Sequence, residues 1–165
     1  MQRLILFRHG TAEPDSHTGD DFDRRLAPRG VLESAAMGAS LADLGFTPDV
    51  VLVSTAARTR DTWAAVEPSF PDAAVEFEPE LYNADSGALR RAARQAGKTA
   101  RTVMIVAHNP GLQELAIQLL LEGSAPNDLV NQASRKFPPA ATAVFLIDDN
   151  GRPSFDGLFY PDPPR

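Results

Sequence analysis

Cysteine is absent from this chain, and lysine nearly so. Without cysteine there are no disulfides, no thiolate metal sites and no cysteine nucleophile, so covalent chemistry would have to run through another side chain. Lys98 and Lys136 are the sole lysines, and neither sits in a glycine-rich turn between a strand and a helix. The glycine fingerprints of dinucleotide-binding and P-loop domains are missing with them. No apolar run approaches the roughly 20 residues needed to cross a bilayer, so no membrane role is expected. Residues 1–8 carry Arg3 and Arg8 around a strand-length apolar run and have no small-residue cleavage site. No secretory signal is therefore expected, and the expected location is cytoplasmic. Histidine is scarce too, occurring only at positions 9, 17 and 108. A net charge of −6 lacks the basic excess of a general nucleic-acid binder.

What remains is an ordinary globular composition over 165 residues, with 43% hydrophobic and 23% charged, enough for one domain with a real core. Apart from the two lysines, every cation is arginine. Arginine grips a phosphoryl or carboxylate group with two parallel donors, which a lysine cannot do.

The chain reads as strands alternating with helices. Leu4-Ile5-Leu6-Phe7 is an unbroken apolar run that stops at Arg8-His9-Gly10. Residues 11–27 follow as a loop rich in turn residues, within which Arg24 is expected to pair with Asp20, Asp21 or Asp23, the alternative being that it reaches back over the end of the first strand. Pro28 to Leu44 is expected to be a helix with Val31, Ala35, Leu41 and Leu44 on its apolar face and Gly45 as its stop. Pro48 to Val53 is a second buried strand. Ser54 is expected to cap a helix from Thr55 to Val66, with Ser54, Arg58 and Thr62 on one face. Residues 74–78 alternate as a half-exposed strand, 79–83 form a loop, and Asp85 or Ser86 caps a helix through Gln95. Residues 101–107 are a third apolar strand, ending at His108-Asn109-Pro110-Gly111. Asn109 is expected to cap a helix running to Glu122, with Pro110 in its first position. Residues 123–138 read as an exposed excursion, Ala141–Ile147 and Ser154–Tyr160 as a hairpin, and 161–165 as an extended tail.

This pattern predicts a single α/β domain over 1–160. Its architecture is a three-layer sandwich: a mostly parallel central sheet flanked by helices, with a C-terminal hairpin. A parallel sheet puts its strand C-termini on one edge, where open α/β sheets bind ligands. Arg8, His9, Arg58 and His108 should then converge. No carboxylate or cysteine stands at ligand spacing beside the two histidines, which makes a poor metal site. It makes a good site for a dianion, with arginine forks to hold it and a neutral imidazole able to attack phosphorus.

Three segments resemble the signatures of the histidine phosphatase (phosphoglycerate mutase-like) superfamily. They are Leu6-Phe7-Arg8-His9-Gly10-Thr11, Ser54 with Arg58 and Thr62, and His108-Asn109-Pro110-Gly111. The short chain, the Asp23-Arg24 to Arg29-Gly30 segment and the Leu81-Tyr82 loop are most similar to the SixA-type phosphohistidine phosphatases. Thr55 departs from the proline common there. The resemblance implies a metal-independent phosphatase with no cofactor and a phosphohistidine intermediate on His9. It implies that Arg8 and Arg58 hold the phosphoryl oxygens, that His108 donates a further hydrogen bond, and that Gly10 and Thr11 line the substrate site. His9 must then be neutral at the attacking nitrogen, its other nitrogen donating to a backbone carbonyl. Gly10 would let backbone approach that ring and the phosphate. Larger members place an acid where this chain has Glu80, which is expected either to protonate the leaving group or simply to face solvent beside Glu78. The implied partner is a phosphorylated substrate, such as a phosphohistidine protein of a phosphorelay, with inorganic phosphate as product. Alternatives are a phosphatase of sugar phosphates or nucleotides with the same fold, and a phospho-ligand binding module without turnover.

Overall fold

The computed structural model describes residues 1–163. Six strands are formed: β1 (Arg3–Arg8), β2 (Val50–Ser54), β3 (Ala74–Glu78), β4 (Thr102–Ala107), β5 (Thr142–Ile147) and β6 (Pro153–Phe159). Five helices connect them: α1 (Pro28–Asp43), α2 (Ala57–Val66), α3 (Ser86–Ala96), α4 (Gly111–Glu122) and α5 (Asn127–Arg135). The sheet order is β3-β2-β4-β1-β5-β6. β1, β2, β3 and β4 run parallel, whereas β5 is antiparallel to β1 and β6 to β5.

The side-chain period of two splits each central strand between two cores. Leu4 and Leu6 join Val103, Ile105, Leu112, Leu115 and Leu119 on the α3–α5 face. Ile5 and Phe7 join Met104, Val106, Leu41, Trp63 and Val66 on the α1–α2 face. The chain steps from β1 to β2 to β3 in one direction across the sheet and then reverses to β4. Crossovers of one hand must therefore put α1 and α2 on one face and α3 on the other, where α4 and α5 share its core. β1, at the centre, is buried on both sides, with Phe7 and Ile5 at 0% exposure. Truncating Phe7 to alanine should cost about 3–5 kcal/mol.

The expected architecture is present, and several local expectations need correction. Helix α2 starts at Ala57, with Ala56 as its cap residue and no side-chain cap. Ser54 ends β2 instead, and its hydroxyl is used elsewhere. Helix α4 starts at Gly111 with Pro110 just outside it, so Asn109 is not its cap. On α1 the buried residues are Gly30, Ser34, Met37, Gly38 and Leu41, while Val31 and Leu44 are exposed. The helix buries its small residues because neighbouring backbone comes too close for larger ones. A Cβ on Gly30 would run into the Thr11 backbone, and one on Gly38 would lie 3.1 Å from the Val66 side chain on α2. Residues 123–138 are not a bare excursion either. They hold α5, which buries Ala133, and after it the buried Phe137. Pro161–Pro163 carry no regular element, and the rest of the expected tail lies outside the described residues.

Candidate active site

Strand register sets the geometry. Arg8 pairs with Ala107, so the next residue on each of two adjacent strands is a histidine. The His9 and His108 rings lie 5.3 Å apart between centroids. Val53 pairs with Val106, which brings Ser54 level with the end of β4. The Ser54 hydroxyl lies 2.8 Å from His108 Nε2. Arg58, on the first turn of α2, is 6% exposed and aims into the same place.

His9 Nδ1 lies 2.7 Å from the Gly10 carbonyl oxygen. A carbonyl only accepts, so Nδ1 carries the proton and Nε2 holds a free lone pair. Burial pushes the His9 imidazole down to about 3, and the charges of His108, Arg8 and Arg58 act in the same direction against the Gly10 hydrogen bond. His108 is pushed down to about 4, by burial first and then by Arg58, with Asp21 opposing. Both rings are therefore neutral near pH 7 while no anion lies beside them.

Arg8 donates from Nη1 to the Phe137 carbonyl oxygen at 2.8 Å, and the Asn109 amide donates to that same oxygen at 3.0 Å. The Arg8 Nε and His108 Nδ1 atoms are buried and have no partner. Among the described residues Arg8 forms no ion pair. Burial and the nearby Arg58 both lower its affinity for its proton. A buried polar atom left alone costs about 1–3 kcal/mol, so a free N–H on the Arg8 guanidinium, the Arg58 guanidinium nearby and an imidazole nitrogen that becomes a donor once His108 takes a proton describe a receptor for an oxyanion.

Thr62 ties this arrangement together, accepting from the Gly10 amide at 3.1 Å and donating to the Arg58 carbonyl at 2.7 Å. Gly10 is needed for a different reason than the sequence suggested. A Cβ there would meet the Gly30 carbonyl oxygen at 2.5 Å and Ser34 Oγ at 2.6 Å, so the close approach is to α1. The Thr11 amide donates to Glu33 at 3.1 Å. With both amides engaged, Gly10 and Thr11 hold the loop behind His9.

Three contributors were not anticipated. Asp21 lies in a 3₁₀ turn, Asp21–Asp23, beside α2. Arg58 donates to its carboxylate at 3.0 Å and to its carbonyl at 2.9 Å. Tyr82 donates to the same carboxylate at 2.7 Å and Arg24 at 2.9 Å, so the expected pairing of Arg24 does form. These bonds, the Tyr82 hydroxyl foremost, hold Asp21 far below the usual carboxylate range. The Tyr82 ring stands edge-on to His108 at 5.6 Å and to Phe22 at 5.0 Å. The third is the Phe137 carbonyl. The Asp20-Asp21-x-Asp23 run next to an arginine-rich pocket was the one signal available for Asp21. No spacing rule points to the other two.

Glu80 is exposed and faces a groove between β3 and α3 with Glu76, Glu78 and Arg91. None of Arg8, His9, Arg58 and His108 lines that groove. The carboxylate whose charge reaches His108 is that of Asp21. Among the described residues, no group of three His, Asp or Glu side chains converges as metal ligands would.

The family model of the histidine phosphatase superfamily (branch 1) matches residues 4–96. An uncharacterized protein of Mycobacterium leprae, ML1117, is 36% identical over 127 residues, covering 77% of this chain and 76% of its own. A protein provisionally assigned as phosphohistidine phosphatase SixA from Agrobacterium tumefaciens superposes with a TM-score of 0.84 at 30% identity, over 97% of this chain and 98% of that one. The protein histidine phosphatase SixA complexed with tungstate superposes with a TM-score of 0.76 at 26% identity, over 94% and 95% of the two chains.

Proposed function

The chain belongs to the histidine phosphatase superfamily, and on that premise we propose that it hydrolyses phosphohistidine in a protein through a phosphorylated His9, without a metal ion. The observation that carries this reading is the convergence of half-buried Arg8 with buried His9, Arg58 and His108, with Arg8 Nε and His108 Nδ1 left unpartnered. His9 Nε2, neutral and unprotonated, attacks phosphorus in line. The bond from phosphorus to the leaving nitrogen breaks, and its electron pair leaves with that nitrogen. Arg8 and Arg58 hold the equatorial oxygens and offset charge in the transition state, as magnesium does in kinases. His108 gains a proton once a dianion lies beside it and donates a further hydrogen bond. Water then attacks the phospho-His9, the P–Nε2 bond breaks with its electron pair returning to the ring, and phosphate departs with both protons of the water, the second passing on to solvent. The tungstate complex of the SixA relative supports oxyanion binding in this fold, since tungstate is a tetrahedral dianion like phosphate. The same donors grip the product, so inorganic phosphate should inhibit.

The choice of phosphohistidine rests on the leaving group. An alkoxide needs a proton as it departs. Glu80 faces another groove, and Asp21 is held ionised. Imidazole is a far better leaving group, because its second nitrogen takes a proton from water near neutral pH. A phosphorelay component is the kind of protein that would carry it, encountered in the cytoplasm. The test is one preparation assayed on a phosphohistidine protein, an aryl phosphate, sugar phosphates and nucleotides, with and without a chelator. The reading expects the phosphohistidine protein to be the best substrate, chelator to have no effect, and His9→Ala to abolish turnover. A clear preference for a sugar phosphate or nucleotide would replace the substrate, and a chelator-sensitive rate would replace the mechanism.

A further inference from the structure

In-line attack places the leaving group on the side of phosphorus opposite His9 Nε2. His9 is 8% exposed and lies at the floor of the site, so the leaving group must point outward to the mouth. The mouth is made by Asp21, Phe22 and Tyr82. The Asp21 side chain is 50% exposed directly beside Arg58, whose own side chain is 7% exposed. Phe22 is 38% exposed and meets Tyr82 edge to face.

A carboxylate has about four acceptor positions. Three on Asp21 are occupied: Arg58 and Tyr82 donate to Oδ2, and Arg24 donates to Oδ1. One position on Oδ1 is left, on a side chain that is 50% exposed. Arg58, in turn, uses two of its five N–H groups on Asp21, which leaves others for a phosphoryl group and lets both contacts coexist. The mouth therefore offers one acceptor on an ionised group, beside an edge-to-face pair of aromatic rings. That suits a flat, N–H-bearing, partly cationic ring, and it opposes a group that departs as an anion.

We propose that Asp21, beside the Phe22–Tyr82 pair, recognises the leaving group and selects phosphoryl groups carried on an imidazole nitrogen. The inference rests on the phosphohistidine reading above and assigns it a residue. The remote ring nitrogen of the substrate, protonated from water, donates to Asp21 Oδ1. His9 Nε2 forms its bond to phosphorus as the substrate P–N bond breaks, the electron pair returns to the ring, and neutral imidazole leaves. With an aryl phosphate the departing oxygen gains negative charge beside the same carboxylate, which gives it no such support.

The test compares phosphoimidazole and p-nitrophenyl phosphate on wild type, Asp21→Asn and Asp21→Glu. Asp21→Asn should lower the ratio of kcat/KM for phosphoimidazole over aryl phosphate by about tenfold or more, the worth of one charge-assisted hydrogen bond. Asp21→Glu keeps the charge and should restore much of that ratio. Equal losses on both substrates would reduce Asp21 to a prop for Arg58 and overturn the inference alone. Equal gains, with tighter inhibition by inorganic phosphate, would make Asp21 a plug on Arg58 and also overturn it. A wild type that cleaves the aryl phosphate and leaves phosphoimidazole intact would overturn the parent reading and the inference with it.

Discussion

Four parallel strands end on one edge of this sheet, and they end in two different ways. β1, β2 and β4 deliver His9, Ser54 and His108 into burial, with Arg58 close behind. β3, at the outside, delivers Glu76, Glu78 and Glu80 to the wall of an open groove of about 750 Å³. Both places hold perturbed groups. Burial, followed by the hydrogen bond and charge from Glu80, pushes the Glu78 carboxyl up, much as burial and arginine charge push the two histidines down. The difference lies in what the groups face. The acids at the end of β3 face one another and an open groove. The bases at the centre face a small volume from three strands and one helix, with donors left over. A shifted proton affinity marks a site only when the surrounding geometry converges on a reacting atom.

The largest effect should come from removing the nucleophile at the centre. His9→Ala should cut turnover by about 10⁴-fold or more in steady-state assays, and a mild loss would dissolve the distinction between the two regions. Arg58→Ala should cost about 10²–10³-fold in kcat, the usual loss when one transition-state donor is removed. Gly10→Ala acts on the scaffold. Its Cβ would press on Gly30 and Ser34, costing about 1–3 kcal/mol and lowering Tm by several degrees. An unshifted melting curve would show that α1 gives way easily.

Acid stability sharpens the same contrast. His9 and His108 bind protons more weakly folded than unfolded, at about 3 and about 4 against an ordinary 6.5. Below pH 6.5 the unfolded chain takes up protons that the folded one refuses. The stability lost is thus fully present above pH 6.5 and falls as the pH drops toward 3, by up to about 1.4 kcal/mol per pH unit for each histidine. Denaturant midpoints across that window should show the loss, and His108→Asn should make the curve shallower. The smallest effect belongs to the acidic edge. Glu80→Gln should change turnover of phosphohistidine by less than about threefold, whereas a loss of about 10²-fold would return Glu80 to the role of leaving-group acid.

The central cluster was legible because it depends on strand ends, and strand ends are written locally. Apolar runs at 4–7, 48–53 and 101–107 each stop at a polar residue, and one parallel edge follows from alternation with helices. The proton on His9 Nδ1 was legible for the same reason, since the next residue offers its carbonyl. What escaped depends on loop closure, which no period encodes. Asp21 reaches Arg58 across 37 positions and Tyr82 across 61. The Phe137 carbonyl reaches Arg8 across 129. Ser54 looked like a helix cap because serine usually is one, but here its hydroxyl supports His108. Residues 123–138 looked bare because prolines and polar residues dominate, and α5 buries only Ala133. The apolar face of α1 was misjudged because size, rather than hydrophobicity, decides which residues fit against close backbone.

The central claim is that His9 becomes phosphorylated. Rapid quenching under alkaline conditions, during turnover of a labelled phosphoryl donor, followed by peptide mapping, tests it most directly. The account predicts label on Nε2 of His9, formed and lost at rates that match turnover and absent from His9→Ala. Turnover with label on another residue, or none on the protein at catalytic rates, would contradict it.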